Sequence, residues 1–438
     1  MANTYLTRTF GSAGNRKKWT FSAWVKKAVN GVEQRLLTTS DNATFDDQIK
    51  FKGADKLEIV CNSGSGVLTT NRLFRDNSAW YHIVAIWDSG NSTSGDRCQL
   101  WVNGIRETSF ATETYPSINQ DGFINNNTPH YIGVTNVTAN SHHFNGIMSH
   151  IHFIDGTAYD PTAFGEFDAN GVWKIKTSPS VTYGTNGFFI LKNGNSVTDQ
   201  SGNSNNFTVG GGTLTNTEDS PSNVFATFNP LKSSFEDGAI RDATYSEGNL
   251  VALHHETGHK CPAFSTIASN SGKFYAEVKW LAVNGSYPVN QYIGIVNIDA
   301  PVIKSWNTLG YFYRGDGTKM VVNTGSAYGD TYTTGDIIGI AMDLDNSKLY
   351  FSKNGVWQNS GDPTSGASGT GAISIASNIN YAFMTEDYNN GKTAANFGNG
   401  YFGTTAVSSA GTNASGIGIF EYDVPTGYTA LSTKGLNL

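Results

Sequence analysis

The chain has few cysteines, few charges and no long hydrophobic run, and each shortage excludes a class of protein. Its three cysteines, Cys61, Cys98 and Cys261, are odd in number and unclustered across 438 residues. Such spacing forms neither a disulfide framework nor a zinc site, and it fits synthesis in a reducing cytosol. Charged residues make up 15% of the chain, and the formal net charge of −7 is spread without a basic stripe. The electrostatic footprint of a nucleic-acid or anionic-membrane binder is therefore missing. No run of 18 apolar residues occurs, so no membrane-spanning helix is expected. The opening MANTYLTRTF lacks a charged segment followed by an apolar one, so no export signal is expected there. Helical periodicity is scarce as well. Heptads, a collagen-like glycine period and hexapeptide repeats are absent, which argues against a long fibre shaft.

Turn residues and aromatic rings are abundant instead. Glycine occurs 49 times and aromatics form 12% of the chain. This combination describes many short strands joined by Gly, Asn, Ser and Thr turns, with rings to fill thin sheet-on-sheet cores. The clearest stretch is Gly335–Asn359, GDIIGIAMDLDNSKLYFSKNGVWQN. It predicts a strand over Asp336–Asp343, a turn at Asp345-Asn346, a strand over Lys348–Ser352, then Asn354-Gly355 leading into a third strand. Asn-Gly between apolar runs is the strongest local hairpin signal, because a type I′ turn needs positive φ at both central residues. The same order occurs earlier, in Trp80–Asp88, a polar loop, Cys98–Val102 and Asn103-Gly104. Two distant copies of one β-meander predict two β-sandwiches in tandem.

These residues also carry family resemblances. Gly335–Gly355 resembles the core signature of SPRY (B30.2-like) domains, supported by Gly272–Trp280, Tyr292–Val296 and Asn396–Gly398. The earlier meander is similar to the laminin-G/concanavalin A-like lectin family, together with Trp19–Lys26, Leu100–Gly104 and Phe144–Tyr159. The expected fold is all-β, two antiparallel sandwiches. A concanavalin A-like jelly roll takes residues 1–180, and a closing strand (Gly187–Lys192) and connector take 181–232. The SPRY-like sandwich takes 233–405, and a tail over 406–438 pairs as a last strand or docks on a sheet. Within the first sandwich, Thr20–Lys26 alternates Phe21, Ala23 and Val25 with Ser22 and Trp24. Asp160 should cap a short helical turn opened by Pro161. The segment Gly361–Gly371, without an apolar anchor, is expected to be an exposed, mobile loop. The connector pieces Asp199–Val209 and Asp219–Leu231 resemble those of structural proteins from tailed, particularly marine, bacteriophages.

Several residue sets could carry chemistry. His255-Glu256-Thr257-Gly258-His259 spells H-E-x-x-H, which grips zinc only on a helix, where the two histidines share a face. Here a strand precedes it, Gly258 interrupts it and Pro262 follows, so a loop or hairpin is the expected state. The acids Glu166 and Asp168 approach a glucanase pattern, but Gly171 stands where a third acid belongs, and Glu386-Asp387 places adjacent acids on opposite strand faces. No catalytic residue, cofactor or metal ligand is therefore assigned. A structural calcium ion stays open, with Asp41, Asp46, Asp47, Asp88 and Asp155 in or near loops. His142, His143, His150 and His152 form a local cluster, the last two sharing one strand face. Tyr115, Tyr287, Trp306, Tyr328 and Trp357 either stack on sugar rings or belong to the core. Arg16-Lys17-Lys18 reads as a solvated surface cluster.

The resemblance implies a non-enzymatic virion protein, made in the host cytoplasm. It would be a capsid decoration, an appendage or a tail-fibre subunit, homo-oligomeric and bound to other virion proteins. Host-surface glycans or proteins are its expected ligands, and nucleic acid and membrane insertion are not. The alternatives are a cellular carbohydrate-binding or adhesion protein and a glycoside hydrolase of concanavalin A-like fold. The SPRY resemblance adds peptide recognition through loops, with Gly361–Gly371 as the candidate.

Overall fold

The computed structural model describes the chain except residues 1–2, 41–45, 137, 193, 195, 233, 237–238, 256–258, 260, 284–289, 300–302, 305–308, 388–389 and 438. Two compact units, Met1–Asn216 and Thr217–Leu438, divide it. Both are built from antiparallel sheets, as the alternation and turn spacing predict.

The first unit is a sandwich of an eight-stranded and a six-stranded sheet. The eight strands run in the order Phe110–Thr114, Gly66–Leu73, Lys56–Cys61, Asp46–Phe51, Gln34–Ser40, Pro129–Ile132, Tyr5–Thr9 and Thr208–Gly211. The six run Phe188–Ile190, Gly146–Asp155, Lys18–Lys27, Tyr81–Asp88, Cys98–Val102 and Ile105–Arg106. Phe21, Ala23 and Val25 point into the core against Ile49, Phe51, Leu57 and Ile59. Fully burying each large apolar side chain contributes about 1.5–3 kcal/mol. The segment Phe188–Ile190 closes the six-stranded sheet against Ile151–Phe153.

The other face of that sheet is not solvated. Val84, Ile86 and Ile154 are covered by Phe164, with Tyr159 and Tyr183 packed alongside. Asp160 caps the turn Pro161–Ala163 by accepting from the Thr162 N–H, and the chain then forms a hairpin of Gly165–Phe167 with Trp173–Ile175.

The second unit repeats this plan. Its larger sheet runs Thr244–Ser246, Val251–His254, Gly391–Asn396, Lys273–Ala282, Ile337–Asp343, Lys348–Lys353 and Val356–Trp357. Ile373–Ser374 pairs with Lys348–Lys353, and Thr429–Ala430 pairs in parallel with Lys273–Ala282. The facing sheet runs Ala263–Phe264, Tyr381–Glu386, Tyr292–Asn297, Gly310–Arg314, Thr318–Val321 and Thr324–Ala327. Trp280, Ile293, Ile340, Phe351 and Phe383 meet between the sheets. Again the outer face is covered. Tyr275, Ala341 and Tyr350 lie under Phe420, Val424 and Tyr428 of the C-terminal segment.

The two predicted Asn-Gly turns form as type I′ geometry requires. Asn103 and Gly104 have φ of 50° and 78°, and Asn354 and Gly355 have 48° and 83°. The segment Gly361–Gly371 departs from the expectation of a mobile loop. Pro363 is buried and opens a 3-10 turn over Pro363–Ser368, with Asp362 accepting from the Thr364 N–H. The Tyr428 hydroxyl donates to the Pro363 carbonyl at 3.2 Å, and Tyr350 and Ser365 hydroxyls meet at 3.2 Å. The anchor is a proline, which apolar patterning does not register.

Candidate functional site

The H-E-x-x-H pattern sits at the end of a strand. Val251–His254 pairs antiparallel with Gly391–Asn396, and His254 is buried. His255 follows directly, while Glu256, Thr257 and Gly258 lie outside the described residues. His259 Nε2 lies 3.3 Å from the Arg241 guanidinium. A strand running up to the first histidine is incompatible with a helix spanning the preceding turn, so the zincin geometry lacks its entry.

The acids serve the backbone or pair with lysines where their partners are seen. Asp168 Oδ1 accepts from the N–H groups of Asn170 and Val172, both at 2.9 Å, and closes its own hairpin. Glu166 lies 3.7 Å from Lys176 on the exposed side of the same hairpin. Glu386 and Asp387 are both buried at the end of the Tyr381–Glu386 strand. Of the loop acids, Asp41 and the side chain of Asp46 lie outside the described residues. Asp47 is buried and accepts from the N–H groups of Asn62, Phe123 and Ile124. Burial outweighs those bonds and pushes its carboxyl up to about 6. Asp88 pairs with Lys18 at 3.2 Å, and Asp155 accepts from Asn15, Asn125 and Asn186. Among the described residues, no three His, Cys, Asp or Glu side chains converge as metal ligands. Arg16, read as surface, instead donates to the Gly122 carbonyl at 2.7 Å.

Within the histidine cluster, His150 and His152 are buried structural groups held neutral. His150 and His152 both lie against the Phe189 ring, at 5.7 and 3.9 Å between centroids, across a register shift in their strand. His142 is exposed, and His143 packs near Tyr5. Burial pulls His150 down to about 4 and His152 well below its ordinary value.

A more suggestive pair escaped sequence reasoning. Ser22 Oγ and His82 Nε2 stand 2.8 Å apart, both fully buried. Read alone, that is a nucleophile beside a base. The third group decides otherwise. Trp173 Nε1–H donates to His82 Nδ1 at 3.0 Å, so Nδ1 is the acceptor and Nε2 carries the proton. Nε2 then donates to Ser22 and has no lone pair to take the serine proton. The imidazole stacks on Trp24 at 4.8 Å between centroids and is held edge-on by Trp173, and burial pulls it down to about 3. Trp24, His82 and Trp173 are far apart in sequence, so no local pattern could have shown the cluster.

Of the aromatics proposed for sugar stacking, Tyr328 is buried in the second core, and Tyr287 and Trp306 lie outside the described residues. Trp357 packs partly buried under the C-terminal segment. Tyr115 lines a cleft of about 170 Å³ at the edge of the first sandwich. A wider polar cleft of about 490 Å³ lies among Lys18, Asp88, Gly90, Asn91 and Asn119.

Comparison with known proteins agrees with this architecture. Residues 2–159 match the concanavalin A-like lectin/glucanases superfamily, and residues 273–378 match the SPRY domain. Ran-binding protein 9 of Danio rerio is 29% identical over 116 residues, which is 24% of this chain and 19% of that protein. The Ran-binding proteins 9/10 homolog of Drosophila melanogaster is 32% identical over 113 residues, 24% of this chain and 11% of its own. The chain thus spans about a fifth or less of these relatives' length. Among solved structures, the SPRY domain of human HERC1 aligns at 15% identity over 38% of this chain and 96% of its own, with a TM-score of 0.30. The native heptameric SAP-like pentraxin of Limulus polyphemus aligns at 15% identity over 36% and 71%, with a TM-score of 0.26. The chain carries a concanavalin A-like domain and a SPRY domain in tandem.

Proposed function

We propose that the protein is a non-enzymatic recognition protein that binds carbohydrate through its first unit and protein through its second. The observation that carries this reading is the pairing, in one chain, of a domain of the concanavalin A-like lectin/glucanases superfamily at residues 2–159 with a SPRY domain at residues 273–378. Chemistry at the sites supports it. Asp47 and Asp168 are committed to backbone N–H groups, Glu166 lies beside Lys176, and the Ser22–His82 pair holds its proton on the wrong nitrogen for catalysis. The Ran-binding relatives are named for binding a protein, which favours a protein ligand for the second unit and a cellular setting for the whole. Glycan-array and peptide-display screening of the full chain tests this reading. Retention of both ligand classes supports it. Hydrolysis of any glycan during incubation would overturn the non-enzymatic part.

A second reading places the protein on the exterior of a phage virion. Its support is the resemblance of Asp199–Val209 and Asp219–Leu231 to connectors in tailed-phage structural proteins. Cryo-electron microscopy of particles from cells that make the chain separates the two settings. Density on a capsid or tail supports the virion, and absence from particles sinks it.

A further inference from the structure

We propose that the cleft at the edge of the first sandwich is a subsite for one neutral pyranose ring of a glycan. The inference rests on the carbohydrate-binding reading of that unit and gives it a location. Ile105–Arg106 is the last strand of the six-stranded sheet, and Phe110–Thr114 is the last strand of the eight-stranded one. Both sheets end here, and the chain crosses from one to the other between them. The resulting cleft is floored by Leu68 and Cys98, each 1% exposed.

Size, charge and surface chemistry each narrow the ligand. A volume of about 170 Å³ admits one ring. It falls below the roughly 300–1,000 Å³ of sites for drug-sized ligands, so neighbouring sugars would stay in solvent. Arg106 is the lining cation and is already paired, and the lining Glu107 is held by Arg72 from outside the cleft. Arg106 donates to Asp96 Oδ1 and to the Gly95 carbonyl, both at 2.7 Å, and Arg72 donates to Glu107 at 3.0 Å. An anionic ligand would have to displace one of these bonds while losing its own hydration, which disfavours it. Phe110 and Tyr115 supply half-buried rings packed on the core edge. Their negative π faces suit the C–H-rich face of a sugar. Glu113 Oε1 accepts from the Tyr115 hydroxyl at 2.6 Å, which fixes the carboxylate and the ring together. Burial and Glu113 push the Tyr115 phenol up to about 12, so it stays a donor throughout the physiological range. The second oxygen of Glu113 and the exposed Thr108 hydroxyl are then acceptor and donor for sugar hydroxyls.

The test uses the full chain, a glycan array and titration with methyl glycosides of glucose, galactose, mannose and N-acetylglucosamine. Glu113→Gln, an exposed change, is expected to weaken binding about tenfold or more, the size of one lost charge-assisted bond. Tyr115→Ala should abolish it, and Tyr115→Phe keeps the ring should the alanine variant misfold, with a smaller loss expected. Array binding that all three variants leave unchanged overturns this subsite while the carbohydrate reading stands. Loss on Asn91→Ala instead would move the site to the wider cleft and also overturn the proposal. Stronger binding of glucuronides than of neutral glycosides would refute the charge argument. Absence of any retained glycan would remove both the subsite and the reading on which it rests.

Discussion

The two units solve one problem in two chemical ways. In each, a meander ends in an Asn-Gly turn, and a later segment folds back over the outer face of the sheet. An added Cβ at Gly104 would stand 2.4 Å from the Trp173 ring, and one at Gly355 would stand 2.6 Å from the Tyr422 ring. Both glycines therefore serve twice, permitting positive φ and letting an aromatic ring sit on the turn. Beneath the cover the units diverge. The first buries a neutral imidazole, His82, against two indoles. The second buries a carboxyl, Glu277, which accepts from the N–H groups of Glu421 and Tyr422, both at 2.8 Å, and from Asn396 and Tyr275, both at 3.2 Å. A hidden imidazole and a hidden carboxyl respond to acid with opposite sign.

The largest expected effect follows from that sign. Burial pulls His82 to about 3, His130 and His150 to about 4, and His152 also down, all in the first unit. The second unit has His254 at about 4. A lowered histidine binds fewer protons folded than unfolded, so its contribution is lost as pH falls below about 6.5. At pH 5 each such histidine costs about 2 kcal/mol. Glu277 acts the other way: burial raises it from 4.5 to about 7, so its contribution is complete below 4.5 and lost as pH rises through 7. Asp47, raised from 3.8 to about 6, offsets part of the loss in the first unit. Between pH 7 and pH 5 the first unit should weaken by several kcal/mol relative to the second. Hydrogen exchange resolved by unit across that range measures the gap, and parallel behaviour would break the comparison.

Removing the covers comes next in size. Trp173→Ala should cost the first unit about 3–5 kcal/mol, because a buried indole and the donor to His82 leave together. Tyr422→Ala, with a half-buried ring, should cost the second unit about 1–2 kcal/mol. Urea unfolding followed by unit-resolved exchange compares them. A reversed order would mean that the C-terminal cover carries more of its unit than ring burial indicates. Glu277→Gln sharpens the contrast further. It should erase a pH slope of up to about 1.4 kcal/mol per unit between pH 4.5 and 7 in the second unit and leave the first untouched.

How much of this could be read beforehand depends on distance along the chain. Asn103-Gly104, Asn354-Gly355 and the alternation Phe21, Ala23, Val25 are local signals, and they form as the residues dictate. Alternation distinguishes two faces of a strand, but it does not say whether the second face meets water or another layer. Trp24 and His82 occupy such a covered face, closed by Trp173, and Glu277 meets partners 144 and 145 positions away. The candidate site suffered similarly. Tyr115 was visible as an aromatic, while Glu113, Thr108 and Arg106 became neighbours of one cleft only because two sheets end at the same edge. Pro363 shows the converse error, where a segment rich in glycine and serine is anchored by a residue that reads as a loop former.

The smallest expected effect tests the feature that the units share. His82 N–H donates to Asn103 Oδ1 at 2.8 Å, while Asn103 N–H returns to the His82 carbonyl at 2.9 Å. Ile337 N–H donates to Asn354 Oδ1 at 2.9 Å, and Asn354 N–H returns to the Ile337 carbonyl at 2.8 Å. Each asparagine therefore ties its turn to the start of the strand before last, in the same atoms. Asn103→Ala and Asn354→Ala each remove one such side-chain acceptor and should cost about 1 kcal/mol. Asn354 also donates through Nδ2 to Asp336 at 2.7 Å, an exposed bond that adds little. Equal losses in the two units, read by differential scanning calorimetry of the single variants, are what one shared anchor requires. A loss at Asn354 several times larger would show that the Asp336 bond, and not the turn, holds the second meander.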